Sequence, residues 1–124
     1  MSKEDIQNDV SLLVPEFQNI VSGIMNLIVV KNWMPFAIFE TLRTQERQNW
    51  LFAQGYSKTL TSNHSTGRAI DLVVFIDGKW SWADKHIPLY KTMIVLVKDK
   101  YGDKVRCGGV DFGAFKDYPH IEMK

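Results

Sequence analysis

The chain contains a single cysteine and shows almost no imbalance of charge, and its most apolar stretch is broken before it could cross a bilayer. Cys107 alone cannot close an intramolecular disulfide, so stability must come from packing, as expected for a protein made in a reducing cytosol. It reads as a small buried residue rather than a nucleophile or metal ligand. Fifteen Lys plus Arg against fourteen Asp plus Glu give a formal net charge of +1, which excludes the basic footprint of a nucleic-acid binder. The run Ile20 to Val30 is interrupted by Ser22, Gly23 and Asn26 and is too short for a comfortable span, so no stable membrane insertion is expected. Met1-Ser2-Lys3-Glu4-Asp5 lacks the basic start and apolar block of a secretory signal, and export by the ordinary route is not expected. There is no repeat, low-complexity tract or Gly/Ser linker. What remains is 124 residues, 45% hydrophobic and 23% charged, enough for one domain over 1–124 with its own core.

The pattern of apolar residues predicts mixed structure. Pro15 and Glu16 suit the first turn of a helix whose apolar face is Phe17, Ile20, Val21, Ile24, Leu27 and Ile28, ending near Lys31-Asn32. Phe36-Ala37-Ile38-Phe39 has strand composition and runs into Glu40-Thr41-Leu42-Arg43, which places Arg43 at a strand end. Thr44 is a cap for a second helix to about Gln54, with Gly55 as its stop. Thr59 to Ser65 reads as a loop, Ala69 to Ile76 as a strand, and Asp77-Gly78 as the turn of a hairpin continued by Lys79-Trp80-Ser81-Trp82. Pro88 opens a third helix with apolar contacts from Leu89, Met93, Val95, Leu96 and Val97, broken at Gly102. Val105-Arg106-Cys107 and Ile121 to Lys124 are short strands around an irregular loop at Gly108-Gly109 and Asp111-Phe112-Gly113. The expected fold class is α+β, a small, mainly antiparallel sheet with packed helices.

The chemistry concentrates in Ser62-Asn63-His64-Ser65-Thr66-Gly67-Arg68-Ala69-Ile70-Asp71 and in Asp117-Tyr118-Pro119-His120. Two imidazoles and one carboxylate, His64, Asp71 and His120, form a suitable set of protein ligands for Zn²⁺ and leave a fourth tetrahedral position open, as a catalytic site requires. Cobalt or manganese would suit the same donors. His64 and Asp71 lie seven positions apart, which fits a loop residue and a strand residue joined through a turn at Gly67 better than two ligands on one helix. Asp117 is the candidate base for water and acid for a leaving amine. The other reading of Asp117 is an acid that orients a ligating histidine, a role for which Glu122 is also available. Arg43 is a candidate to hold developing oxyanion charge and the substrate carbonyl, against a plain ion pair with Glu40 or Glu46. Ser62 is placed to bond substrate or the ligand loop. His86 has no motif partner and reads as solvent-facing, whereas Trp33 and Trp50 read as core and Trp80 and Trp82 as weak candidates for substrate contact.

These motifs resemble the zinc peptidases of the D-alanyl-D-alanine carboxypeptidase and dipeptidase group, including the phage L-alanyl-D-glutamate endopeptidases. Ser62-x-His64-x-x-Gly67-x-Ala69-x-Asp71 matches that family's ligand signature, and Asp117-x-Pro119-His120-x-Glu122 resembles its closing motif. Thr41-Leu42-Arg43-Thr44 with Glu46, Gln48, Leu51 and Ala53-Gln54-Gly55 is similar to its arginine-bearing segment, so the likeness spans roughly residues 11 to 124. Leu42 and Gly109-Val110-Asp111-Phe112 depart from the family pattern, where an aromatic and Gly-Asp-Trp are more usual. The resemblance implies a fold of the hedgehog/DD-peptidase kind, zinc held by His64, Asp71 and His120, Asp117 as base, and Arg43 stabilising substrate or transition state. It further implies a monomeric phage or prophage endolysin that cuts the L-Ala-D-Glu bond of the peptidoglycan stem peptide. Such an enzyme would sit in the host cytoplasm before lysis and reach the wall through a separate pore. The alternatives are a D-Ala-D-Ala carboxypeptidase or dipeptidase, and a zinc-stabilised wall-binding module without catalysis.

Overall fold

Pro15 begins helix α1 (Pro15–Met25), where its fixed φ costs nothing and its missing N–H is not needed. The computed structural model describes residues 6–57, 62–113 and 117–124; the reading of the first five residues, and that of Thr59 to Thr61 as loop, lie outside them. α1 turns Phe17, Val21 and Ile24 inward, and a π-helical turn (Asn26–Lys31) continues the same face with Ile28. The helical stretch therefore ends where the apolar period ends, but with a widened last turn that the period does not reveal. The other elements are β1 (Phe36–Glu40), α2 (Gln45–Ala53), β2 (Ala69–Ile76), β3 (Lys79–Ser81), α3 (Ile87–Tyr101), β4 (Val105–Cys107) and β5 (His120–Met123).

The chain is α+β, with an antiparallel sheet in the order β1-β2-β5-β4 and β3 paired to β2. β2 is the organising strand, bonded to three others. The pleat sends Ile70, Leu72 and Val74 of β2, Ile121 of β5 and Val105 and Cys107 of β4 into one core with α1 and α3. Tyr90 of α3 fastens this layer: its hydroxyl accepts from Val74 N at 3.0 Å and donates to Ser81 O at 2.9 Å. Cys107 is fully buried, and burial pushes its thiol up to about 12, so it is an unreactive core residue. Val95, expected to pack inward from α3, is instead exposed; the inward stripe is Tyr90, Met93, Ile94 and Val97, the spacing a helix of this pitch presents to a sheet.

The opposite face of the sheet carries Asp71, His120 and Glu122, at alternate positions to the core residues. Asp71 and His120 are cross-strand partners, so strand register alone makes them neighbours. Among the described residues, no helix is long and apolar enough to cross a membrane.

Candidate metal centre and substrate cavity

His64 enters from a short 3₁₀ turn (Asn63–Thr66) that packs on the start of β2. Ser62 caps this turn by accepting from His64 N at 3.1 Å, and Gly67 closes it at φ 71°, a backbone conformation that side chains disfavour. A Cβ on Gly67 would also meet Leu12 O at 3.0 Å. Asp71 Oδ1 lies 3.4 Å from His64 Nε2 and 3.6 Å from His120 Nδ1. Ligands held about 2.0–2.1 Å from a tetrahedral centre are themselves roughly 3.3–3.4 Å apart. The two measured separations fit such a shell, and all three ligand atoms fall within 4.8 Å of one another.

The hydrogen bonds around the triad decide which nitrogen faces it. His64 Nδ1 lies 2.9 Å from Thr41 O, and because a carbonyl only accepts, Nδ1 carries the proton and Nε2 presents its lone pair. His120 is held the other way round: Nε2 donates to Glu122 Oε1 at 2.7 Å and leaves Nδ1 toward Asp71. Glu122 is itself anchored by Asn63 Nδ2 at 2.7 Å and by Arg106 at 2.5 and 3.1 Å. His64 Nε2 and Asp71 Oδ1 are buried and have no hydrogen-bond partner among the described residues, an expensive arrangement unless a cation takes both. The donor set therefore fits a divalent metal ion.

Burial pushes the Asp71 carboxyl up, but the two imidazoles that face it, His64 and then His120, outweigh that and hold the group well below the ordinary range. Burial likewise pulls His120 down, and its contacts with Asp71 and Glu122 overcome that and raise it to about 9. Asp117 behaves oppositely to Asp71: burial, reinforced by the negative charge of Asp71, lifts it to about 6 against the pull of His120, His64 and Arg43. In the metal-free protein the carboxyl is thus displaced toward neutrality, the direction that suits a group exchanging protons. Its loop is fixed from behind by Gly108, where a Cβ would fall 1.7 Å from Asp117 O, and by the bond from His120 N to Asp117 O at 3.0 Å.

Arg43 stands beside Asp71, with Nη2 at 3.5 Å from Oδ2. Its guanidinium is fixed by Glu40 Oε1 at 2.7 Å and Gln48 Oε1 at 2.8 Å, and its backbone N–H donates to His64 O at 2.9 Å. Glu40 reaches this face through a β-bulge. Ile38 pairs with Leu72 but Glu40 pairs with Asp71, so Phe39 is the extra residue and Glu40 is turned away from the core side that Ile38 occupies. The fully buried Glu40 also binds Arg47 of α2, with Nε at 2.5 Å from Oε2. Reasoning from sequence names Glu40 only as an ion-pair partner of Arg43 and misses Arg47 and Thr41; an acid at a strand end before two arginines was the available signal.

The triad, Asp117, Arg43 and Arg47 line a cavity of about 880 Å³ together with Trp50, Tyr56 and Ser62. Trp82 borders it, partly exposed, whereas Trp80 packs between Phe39 and Phe75 and is not part of the lining. Trp33 is exposed rather than core, with φ 56°, and His86 is half-buried at the start of α3, away from the cavity. The model of a family described as phage L-alanyl-D-glutamate peptidase matches residues 3–123. The crystal structure of Serratia marcescens L-Ala D-Glu endopeptidase ChiX superposes with a TM-score of 0.71 at 29% identity, covering 99% of this chain and 86% of that one.

Proposed function

Because the chain belongs to the phage L-alanyl-D-glutamate peptidase family, we propose that it is a zinc-dependent endopeptidase that hydrolyses the L-Ala-D-Glu bond of the peptidoglycan stem peptide. The observation that carries the reading is the pair of buried, unpartnered ligand atoms, His64 Nε2 and Asp71 Oδ1, facing His120 Nδ1 beside a cavity that also holds Asp117 and Arg43. Zinc bound by His64, Asp71 and His120 would supply Lewis acidity to the scissile carbonyl and acidify a water.

Asp117 takes one proton from the attacking water as its oxygen bonds the carbonyl carbon, and passes that proton to the alanyl-glutamyl nitrogen as the C–N bond breaks. Arg43, a permanent cation locked by Glu40 and Gln48, steadies the charge that grows on the carbonyl oxygen without having to reorganise. Ser62 acts through the turn it caps and so positions His64. In this proposal the enzyme acts as a phage or prophage endolysin, made in the host cytoplasm and reaching the wall through a separate pore.

The test is digestion of purified peptidoglycan by zinc-loaded protein and by Asp117→Ala, with new termini identified by mass spectrometry. The expected result is new D-glutamate amino termini with the wild type, a loss of rate of about 10²–10⁴-fold in the variant, and zinc still bound by it. Release of free D-alanine instead would make it a carboxypeptidase, and absence of any cleavage would make it a binding module.

A further inference from the structure

Arg47 is almost entirely buried in the cavity wall, yet it spends only part of its donor capacity. Nε and Nη2 engage Glu40 at 2.5 and 3.4 Å, and Nη1 has no hydrogen-bond partner among the described residues. Arg43 shares the same carboxylate, through Nη2 at 2.7 Å from Oε1, and leaves its own Nε without an acceptor. Two guanidiniums share the Glu40 carboxylate, and Arg43 has a second acid beside it in Asp71, so Arg47 is the one that divides its only carboxylate among the described residues with another cation. A buried N–H without an acceptor is costly, and a bond made there to an anion is strengthened by the low local dielectric. Arg43 is in contact with Asp71 and so belongs to the reacting carbonyl. Among the described residues Arg47 makes no hydrogen bond or ion pair to the triad, and it lines the same cavity.

Resting on the endopeptidase reading, we propose that Arg47 is a specificity-determining residue whose Nη1 binds the carboxylate of the substrate's glutamate that does not continue the peptide. A glutamate acylated on nitrogen has two carboxyls, and a linear chain continues through one of them. The other is an anion close to the scissile nitrogen, or an uncharged amide if it has been modified. Glu40 orients the arginine for this task and prevents it from turning away. The subsite thus makes the enzyme sensitive to amidation of the stem-peptide glutamate.

Two synthetic acyl-L-alanyl-D-glutamyl peptides, identical except that the non-chain carboxyl is free in one and amidated in the other, provide the test. Zinc-loaded wild-type protein should show a kcat/KM roughly 10- to 100-fold higher on the free acid, the scale of a charge-assisted bond. In Arg47→Gln this ratio should collapse to within about threefold, the loss falling chiefly on the free acid, because the amide substrate never had the charge to offer. A ratio near one in the wild type, with both peptides cut, would leave the endopeptidase standing and overturn the subsite. A wild-type preference retained in Arg47→Gln would assign recognition elsewhere and overturn it equally. Cleavage of neither peptide would remove the proposed function and the subsite with it. The wild-type comparison requires no variant to fold, and a melting curve of Arg47→Gln separates lost recognition from lost structure.

Discussion

His64 and His120 reach the cavity with one nitrogen of each ring already committed to a fixed acceptor, Thr41 O and Glu122, and the other aimed at Asp71. Arg43 and Arg47 reach it around a single buried carboxylate and keep N–H groups unspent. The first end is built on strand register and tautomer, and its precision comes from backbone hydrogen bonds and a cross-strand pair. The second is built on charge, and its precision depends on one acidic side chain brought round by a bulge. An ion needs the former, since ligand distances tolerate little error. A substrate that arrives with its own charge and shape is served by the latter.

Breaking the imidazole end should have the largest effect. His64→Ala should lose bound zinc on dialysis and lower peptidoglycan hydrolysis by roughly 10³-fold or more, the scale of the metal's polarising contribution. Full zinc occupancy in that variant, measured by elemental analysis, would show that the triad is not the ligand set. Breaking the arginine end should act through stability as well as rate. Glu40→Gln strips buried Arg47 of its counter-charge and leaves Arg43 with Asp71 alone, at a cost of about 3 kcal/mol, which is a fall in melting temperature of roughly 10 °C. An unshifted melting curve would mean the cluster contributes little to the fold.

The smallest effect is a pH dependence that should sharpen the contrast. His120 is held at about 9 in the metal-free protein, above its ordinary value near 6.5. The native state thus retains a proton that the unfolded chain releases, so its stabilisation is present below about 6.5 and fades as pH rises through 9. Metal-free protein should lose melting temperature across that window. Zinc-loaded protein, in which His120 Nδ1 no longer carries a proton, should not show the same trend. Glu122→Gln should flatten the trend in the metal-free form, because Glu122 is one of the contacts that keeps the proton on. Parallel curves for both forms would contradict this account.

Much of the fold was legible because local rules and the tertiary structure agree. β2 occupies the apolar run at 69–76, Thr44 caps α2 by accepting from Arg47 N at 3.1 Å, and Asp77 and Gly78 both adopt positive φ at the hairpin turn. The approach of His64 and Asp71 was legible from motif spacing, since a turn is a local device, whereas His120 was tied to them by the family resemblance, because it meets Asp71 only through pairing of strands far apart in sequence. The arginine end was less so. Whether Glu40 faces the core or the cavity depends on a bulge at Phe39, which leaves no mark in composition, and Arg47 gains meaning only once Glu40 has turned. Val95 shows the same limit on α3, because an apolar residue at a helical position says nothing of which side the sheet will take.

β2 couples the two layers of the molecule more tightly than packing alone suggests. Ile70 and Leu72 feed the core while Asp71, between them, pairs with His120 and stands next to Glu40. A slip of β2 by one residue would turn a carboxylate into the oily layer and put a leucine or isoleucine where the cation belongs. Misthreading therefore cannot be silent. A chain that folds with the wrong register breaks up the His64, Asp71 and His120 donor set at the same moment, so binding of the proposed metal would report assembly of the sheet as well as readiness for chemistry.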